Sequence, residues 1–230
     1  MKDDDPNAAP LLDGRGLYRF FRVGEDETAA LRGVDIRVRR GETVAVIGPS
    51  GSGKSTLLAC LAGLDEPSGG AVHVGGTRIS HRPEAERSRL RARHVGILLQ
   101  SGTLIRHLSV RDNIRLARAA DRHGRHRPVT ELLDQVELSH RADALPQELS
   151  GGELARAGLA AALANDPDVV LADEPTGELD GDSEQRVLQI LRRRANDGRA
   201  VLLVTHSSAA LSIADRVITL HDGRNVDERD

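Results

Sequence analysis

Three stretches of this 230-residue chain carry residue types that could act together on phosphate. The first, "GPSGSGKST", runs Gly48, Pro49, Ser50, Gly51, Ser52, Gly53, Lys54, Ser55, Thr56. It fits G-x-x-x-x-G-K-[ST], follows an apolar run and opens a helical stretch, the context that gives this motif its meaning. The glycines let backbone N–H groups converge on a phosphate, and the helix amino terminus adds partial positive charge. Lys54 reaches the outer phosphates, and the Ser55 hydroxyl can ligate Mg²⁺. Lysine occurs only at Lys2 and Lys54, so the other 30 of the 32 basic residues are arginine. A compact ammonium fits a tight phosphate cage where a planar guanidinium does not.

The second stretch, "VVLADEP" at 169–175, is an apolar strand ending in adjacent carboxylates, Asp173 and Glu174. Successive strand side chains diverge, so the two can serve different tasks. On its own, such a strand end is commonly just solvated. Beside a phosphate loop, Asp173 reads as a holder of the magnesium shell and Glu174 as the general base that polarises the attacking water. The third stretch is "LSGGELARAGLA" at 149–160. Ser150 stands where a helix N-cap belongs. A capped helix explains the serine, but Gly151 and Gly152 are costly at a helix start unless something approaches the backbone there. The alternative is a second anion site.

The surrounding pattern predicts the elements that must position these groups. Short strands broken by turns at 24–27 and 39–42 precede a buried strand at 43–48 and a helix at 54–64. "EPSGG" and "VGG" bracket a hairpin around "AVHV", and 93–100 is another strand. From 101 to about 160 the texture is helical, with Ser109 an N-cap and Asp112 three residues on. A strand at 168–174, a helix ending near Gly198 and a strand at 199–206 follow, with one more in "RVITLHDG". Strands alternating with helices indicate a parallel sheet wrapped by helices, with a helical lobe inserted at about 101–160.

Composition narrows the classes. The formal net charge of -3 argues against a general nucleic-acid binder. Aromatic residues make up 1%, so the core must be built from Leu, Val, Ile and Ala. The lone Cys60 allows no internal disulfide, fits a reducing cytosol and reads as a small buried hydrophobe. The amino terminus is acidic without an apolar stretch, and residues 1–15 read as a disordered lead. No apolar run is long enough to cross a bilayer. The arginine-rich "HRPEAERSRLRAR" and "RHRPVTE" read most simply as solvated faces.

These motifs, in this order, resemble the nucleotide-binding subunit of an ATP-binding-cassette (ABC) transporter, from about Leu17 to Gly223. The resemblance implies an α/β fold: a P-loop NTPase parallel-sheet core with an antiparallel β subdomain and an inserted α-helical subdomain, residues 16–230 being one ABC ATPase domain. It implies ATP and Mg²⁺ as cofactors. In that family two ATPase domains pack head to tail, each ATP lying between one copy's phosphate loop and the other's Ser-Gly-Gly signature. Ser150, Gly151 and Gly152 are then for a partner's nucleotide. Gln100 resembles the glutamine that contacts magnesium and senses the membrane subunit, Asp180 the carboxylate of a loop crossing the dimer interface, and His206 the switch histidine near the γ-phosphate. Phe21 resembles the aromatic that stacks on adenine, with Tyr18 close by and core packing as a competing role.

The signature departs from the commonest form in carrying Glu153. A carboxylate aimed at a γ-phosphate repels it, so Glu153 is expected to turn aside towards an arginine while Ser150 and the Gly152 N–H make the contact. "LADEPTGELD" resembles the lipoprotein-releasing, macrolide-exporting and cell-division group. The resulting expectation is an ATP hydrolase at the inner face of a cell membrane, bound to a second copy or a homologous subunit and to a membrane permease, and not to nucleic acid. The alternatives are a cassette powering a non-transport membrane complex, a non-hydrolysing regulatory module and a soluble kinase.

Overall fold

The structure, a computed structural model, describes residues 9–23, 26–99, 103–121, 124, 126–177 and 179–229. Its elements in chain order are β1 (Leu12–Val23), β2 (Asp26–Val38), β3 (Thr43–Ile47), α1 (Lys54–Leu61), β4 (Gly69–Val74) and β5 (Thr77–Arg78). Next come α2 (Glu84–His94), β6 (Val95–Leu98), α3 (Val110–Ala119), α4 (Val129–Gln135), α5 (Gly151–Ala162) and β7 (Val169–Asp173). The chain closes with α6 (Gly181–Asn196), β8 (Ala200–Val204), α7 (Ser208–Ser212), β9 (Arg216–His221) and β10 (Arg224–Arg229).

Two sheets form. The first is antiparallel, in the order β2-β1-β4-β5. Alternation shapes it: Val34, Ile36 and Val38 are buried while Asp35 and Arg37 between them are exposed. The second runs β10-β9-β3-β8-β7-β6, parallel from β9 to β6, with β10 returning antiparallel. Its central strands have no polar face, and every residue of β8 is buried. Such runs belong to strands covered on both sides. Here each strand serves two cores. Leu171 and Leu202 pack with Leu57 and Leu61 of α1 beneath the antiparallel sheet. Val170, Ala172, Val201 and Leu203 pack with Leu159 of α5 and Leu191 of α6. Cys60 lies in the first core, where burial pushes its thiol up to about 12. α3, α4 and α5 fall in the segment read as a helical lobe, and the Ser109 hydroxyl caps α3 through the Asp112 N–H.

The lead read as 1–15 ends earlier: β1 begins at Leu12. Leu11, Leu12 and Asp13 are buried, with Leu12 opposite both Val38 and Val74. The pieces read as short strands are two long paired ones, and β10 went unread. "HRPEAERSRLRAR" holds all of α2 but its last residue, His94, and that helix has no buried residue.

At the amino ends of β7 and β8 an ionic cluster joins four elements. Arg194 is 2% exposed and donates to Asp166 at 2.8 Å. Arg199 bridges Asp166 at 2.5 Å and Asp168 at 2.6 Å, and His94 contacts Asp168 at 2.6 Å. Arg194 is buried and Asp166 half-buried, and Arg194 also donates to the Pro167 carbonyl at 3.3 Å. Asp166→Ala is therefore expected to lower unfolding free energy by about 1–3 kcal/mol, read from urea denaturation. A loss under about 1 kcal/mol means that Arg194 does not depend on that carboxylate.

Candidate functional site

β3 delivers the chain into the loop at 48–53, and α1 leaves it. Gly53 caps α1 with φ 101°, and a Cβ there would stand 2.4 Å from the Ala30 carbonyl oxygen. Only glycine fits both conditions. No side chain caps α1 and no acid lies in its first turn, so its amino end keeps its positive character. The Lys54 ammonium donates to the Gly48 carbonyl at 2.7 Å and the Pro49 carbonyl at 2.9 Å, and so lies folded along the loop. Ser52 is buried, its carbonyl accepting from Gly223 N–H at 3.0 Å. Pro49, Ser50 and Gly51 form the rim, and Ser55 and Thr56 lie in the first turn of α1.

The two carboxylates diverge, by a turn and not by strand alternation, because β7 ends at Asp173. Asp173, the last residue of β7, accepts from the Ser55 hydroxyl at 3.3 Å. Glu174 enters the left-handed region at φ 45° while its N–H still donates to Val204 at 2.8 Å. For a residue with a side chain this conformation costs about 1–3 kcal/mol. It turns the carboxylate towards His206, whose backbone N–H donates to Glu174 Oε2 at 3.3 Å and whose Nε2 lies 3.7 Å from Oε1.

Sequence reasoning missed the brace behind this pair. Glu184 of α6 accepts from Thr176 Oγ1 at 2.9 Å and Ser207 Oγ at 2.6 Å. It thereby joins the loop after Glu174 to the loop after His206. Its only signal in the sequence is an acid in a helix's first turn, which is too common to mark a function.

Ser55 Oγ and Asp173 Oδ2 are hard oxygens already side by side, a donor set that suits Mg²⁺. No cluster of three metal-binding side chains occurs among the described residues. Gln100 lies outside the described residues.

Ser150 caps α5 in a capping box: Glu153 N–H donates to Ser150 Oγ at 3.3 Å, and Ser150 N–H donates to Glu153 Oε2 at 2.9 Å. Glu153 does turn aside, its other oxygen accepting from Arg141 at 3.0 Å. The glycines have different reasons. A Cβ on Gly152 would stand 2.2 Å from Ser183 Oγ of α6, so packing within the chain fills that space. Among the described residues, only Leu179, at 3.9 Å, lies near the Cβ position of Gly151.

Arg141's hydrogen bond, helped by the Ser150 N–H, holds the Glu153 carboxyl down to about 2. A depressed value stabilises the fold above the ordinary carboxylate range, and that contribution is lost as pH falls towards 2. Glu153→Ala is expected to be about 1 kcal/mol less stable at pH 7. That gap should close on acidification to pH 2. A gap independent of pH rules out the charged contact as its cause.

Phe21 does not pack in the core. It is 38% exposed, with the Arg19 guanidinium 4.6 Å above its ring, and Tyr18 stacks instead on Phe20. Asp180 caps α6 by accepting from Ser183 N–H at 2.9 Å, which holds its carboxyl below the usual range. A cleft of about 550 Å³, lined by Leu98, Leu99, Leu104, Leu154 and Leu179, runs to Glu174.

A phosphate-type loop, a hydroxyl–carboxylate pair and a carboxylate–histidine pair thus meet at the carboxyl ends of β3, β7 and β8. The profile of the ABC transporter family matches residues 31–177, and the chain belongs to that family. It is an ATP-hydrolysing cassette. Among its relatives, the macrolide export ATP-binding/permease protein MacB of Nitrobacter winogradskyi is 42% identical over 217 residues, covering 93% of this chain and 34% of that protein. MacB 1 of Aeromonas hydrophila subsp. hydrophila is 43% identical over 223 residues, 96% of this chain and 34% of its own. The chain thus spans about a third of the length of these curated relatives. A dimeric post-hydrolysis structure of the ATP-binding cassette MJ0796, bound to ADP and Pi, superposes with a TM-score of 0.88 at 31% identity, covering 96% of this chain and 98% of that one. No helix among the described residues is long and apolar enough to cross a membrane.

Proposed function

We propose that this chain works as a head-to-tail dimer of cassettes that closes on two ATP molecules and drives a membrane permease. The single observation that carries this is the convergence of Ser55 with Asp173 and of Glu174 with His206 beside an uncapped helix start. The loop Gly48 to Thr56 binds the phosphates, and Lys54 swings from its own loop carbonyls to the outer ones. Ser55 and Asp173, with Gln100, hold Mg²⁺, which when bound neutralises charge developing on the phosphates. Glu174 accepts the proton of the attacking water, and His206 fixes that carboxylate and faces the γ-phosphate. Phe21 offers its exposed ring to adenine. Ser150, Gly151 and Gly152 cover the triphosphate of the second copy, and Asp180 lies at that interface.

The MacB relatives are ATP-binding/permease proteins, which supports a permease as the membrane partner. Leu99 and Leu154 stand exposed around the cleft between α5 and β6, an apolar seat for the permease's cytoplasmic end. On this reading the chain works at the inner face of a cell membrane.

The test uses Glu174→Gln. With ATP and Mg²⁺ its mass in solution should double from 24.8 kDa, and with ADP it should remain single. A variant that stays monomeric with ATP, alone and with its membrane partner, overturns the proposal.

A further inference from the structure

All three Phe and Tyr residues of the chain, Tyr18, Phe20 and Phe21, stand on β1, and each is exposed. They divide into two groups. Tyr18 stacks on Phe20, with ring centroids 6.2 Å apart and an interplanar angle of 17°. Phe21 pairs with Arg19, whose guanidinium stands 4.6 Å from its ring centroid. An exposed phenylalanine ordinarily turns between rotamers, and fixing it when a flat ligand binds costs conformational entropy. A cation seated on one ring face restrains the side chain beforehand.

The cation is itself clamped. Arg19 Nε donates to Asp65 Oδ2 at 2.8 Å, and its Nη2 donates to Asp65 Oδ1 at 2.8 Å. Such a two-pronged contact fixes the plane of the guanidinium as well as its position. Asp65 belongs to the turn that closes α1. Its N–H donates to the Ala59 carbonyl at 3.1 Å, and its Oδ1 accepts from the Glu66 N–H at 2.8 Å. The other end of α1 is the phosphate loop. One helix therefore carries the phosphate site at its amino end and, through Asp65 and Arg19, restrains the Phe21 ring from its carboxyl end.

We infer that Arg19 is a positioning residue for the base of the nucleotide: clamped by Asp65, it holds the Phe21 ring in one orientation relative to α1, so that base and phosphates meet groups tied to the same element. The inference rests on the reading that Phe21 takes the base. Arg19 acts through the ring and need not touch the nucleotide.

The test measures, on the full chain, dissociation constants for ADP and for tripolyphosphate, which has no base. Arg19→Gln loses both the charge and the fork. It should raise the ADP constant about three- to tenfold and leave the tripolyphosphate constant unchanged. Asp65→Asn, which loosens the clamp from the α1 side, should act in the same direction, and it stands in should Arg19→Gln fail to fold. In a chain already carrying Phe21→Ala, Arg19→Gln should move neither constant, because no ring is left to hold. The melting temperature should change little, since the ion pair is partly exposed. ADP affinity equal to the parent's in either variant, an equal loss for both ligands, or a loss that survives Phe21→Ala overturns the inference. A Phe21→Ala chain that binds ADP as tightly as the parent instead overturns the reading beneath it.

Discussion

Glu174→Gln is expected to lower kcat for ATP hydrolysis by about 10²–10⁴-fold, the range a positioned general base supplies. The geometry makes the substitution clean. An amide oxygen can still accept from the His206 N–H that now donates to Glu174 at 3.3 Å. The left-handed turn at φ 45° is kept because glutamine and glutamate have the same shape. The contact between Ser55 and Asp173 lies on the diverging side and is untouched. What disappears is the capacity to take a proton. Single-turnover phosphate release reads this directly, while nucleotide affinity should hold. A variant releasing phosphate as fast as its parent removes Glu174 from the role of base.

Gly53→Ala should have an equally large effect, on binding rather than turnover. At φ 101° an L side chain is strained, and its Cβ would meet the Ala30 carbonyl at 2.4 Å. That carbonyl belongs to β2, which buried Leu31 and its pairing with β1 hold in place. Relief must come from the loop, the part that receives phosphate. A cost of about 3 kcal/mol corresponds to roughly a hundredfold in the dissociation constant. Calorimetric titration with ADP measures it, and affinity equal to wild type shows that the loop does not need the tight turn.

Much of this site was legible because its parts are local. A loop whose backbone must curl around phosphate announces itself in glycines at fixed spacing, and a strand buried on both sides reads as an unbroken apolar run. The Glu153 side chain could be foreseen turning aside, since the repulsion that drives it is written in its own position. Other features had no local signature. Arg19, Arg141 and Glu184 take their meaning from partners 46, 12 and 23 positions away. The start of β1 hid behind an acidic lead, because Leu11 and Leu12 are too short a run to mark a strand. The arginines of α2 read as surface and gave no period, since no residue of that helix is buried. Gly152 also makes room for Ser183 of its own chain, a demand with no local signature.

The strand that ends in Asp173 is a party wall. Val169 and Leu171 belong to the room shared with α1, Val170 and Ala172 to the room shared with the helical lobe. A shift of furniture on the lobe side leans on every second residue of that wall, and the next residues along it are the two acids. News from the lobe therefore has a rigid route to the reaction centre and need not travel through a loop.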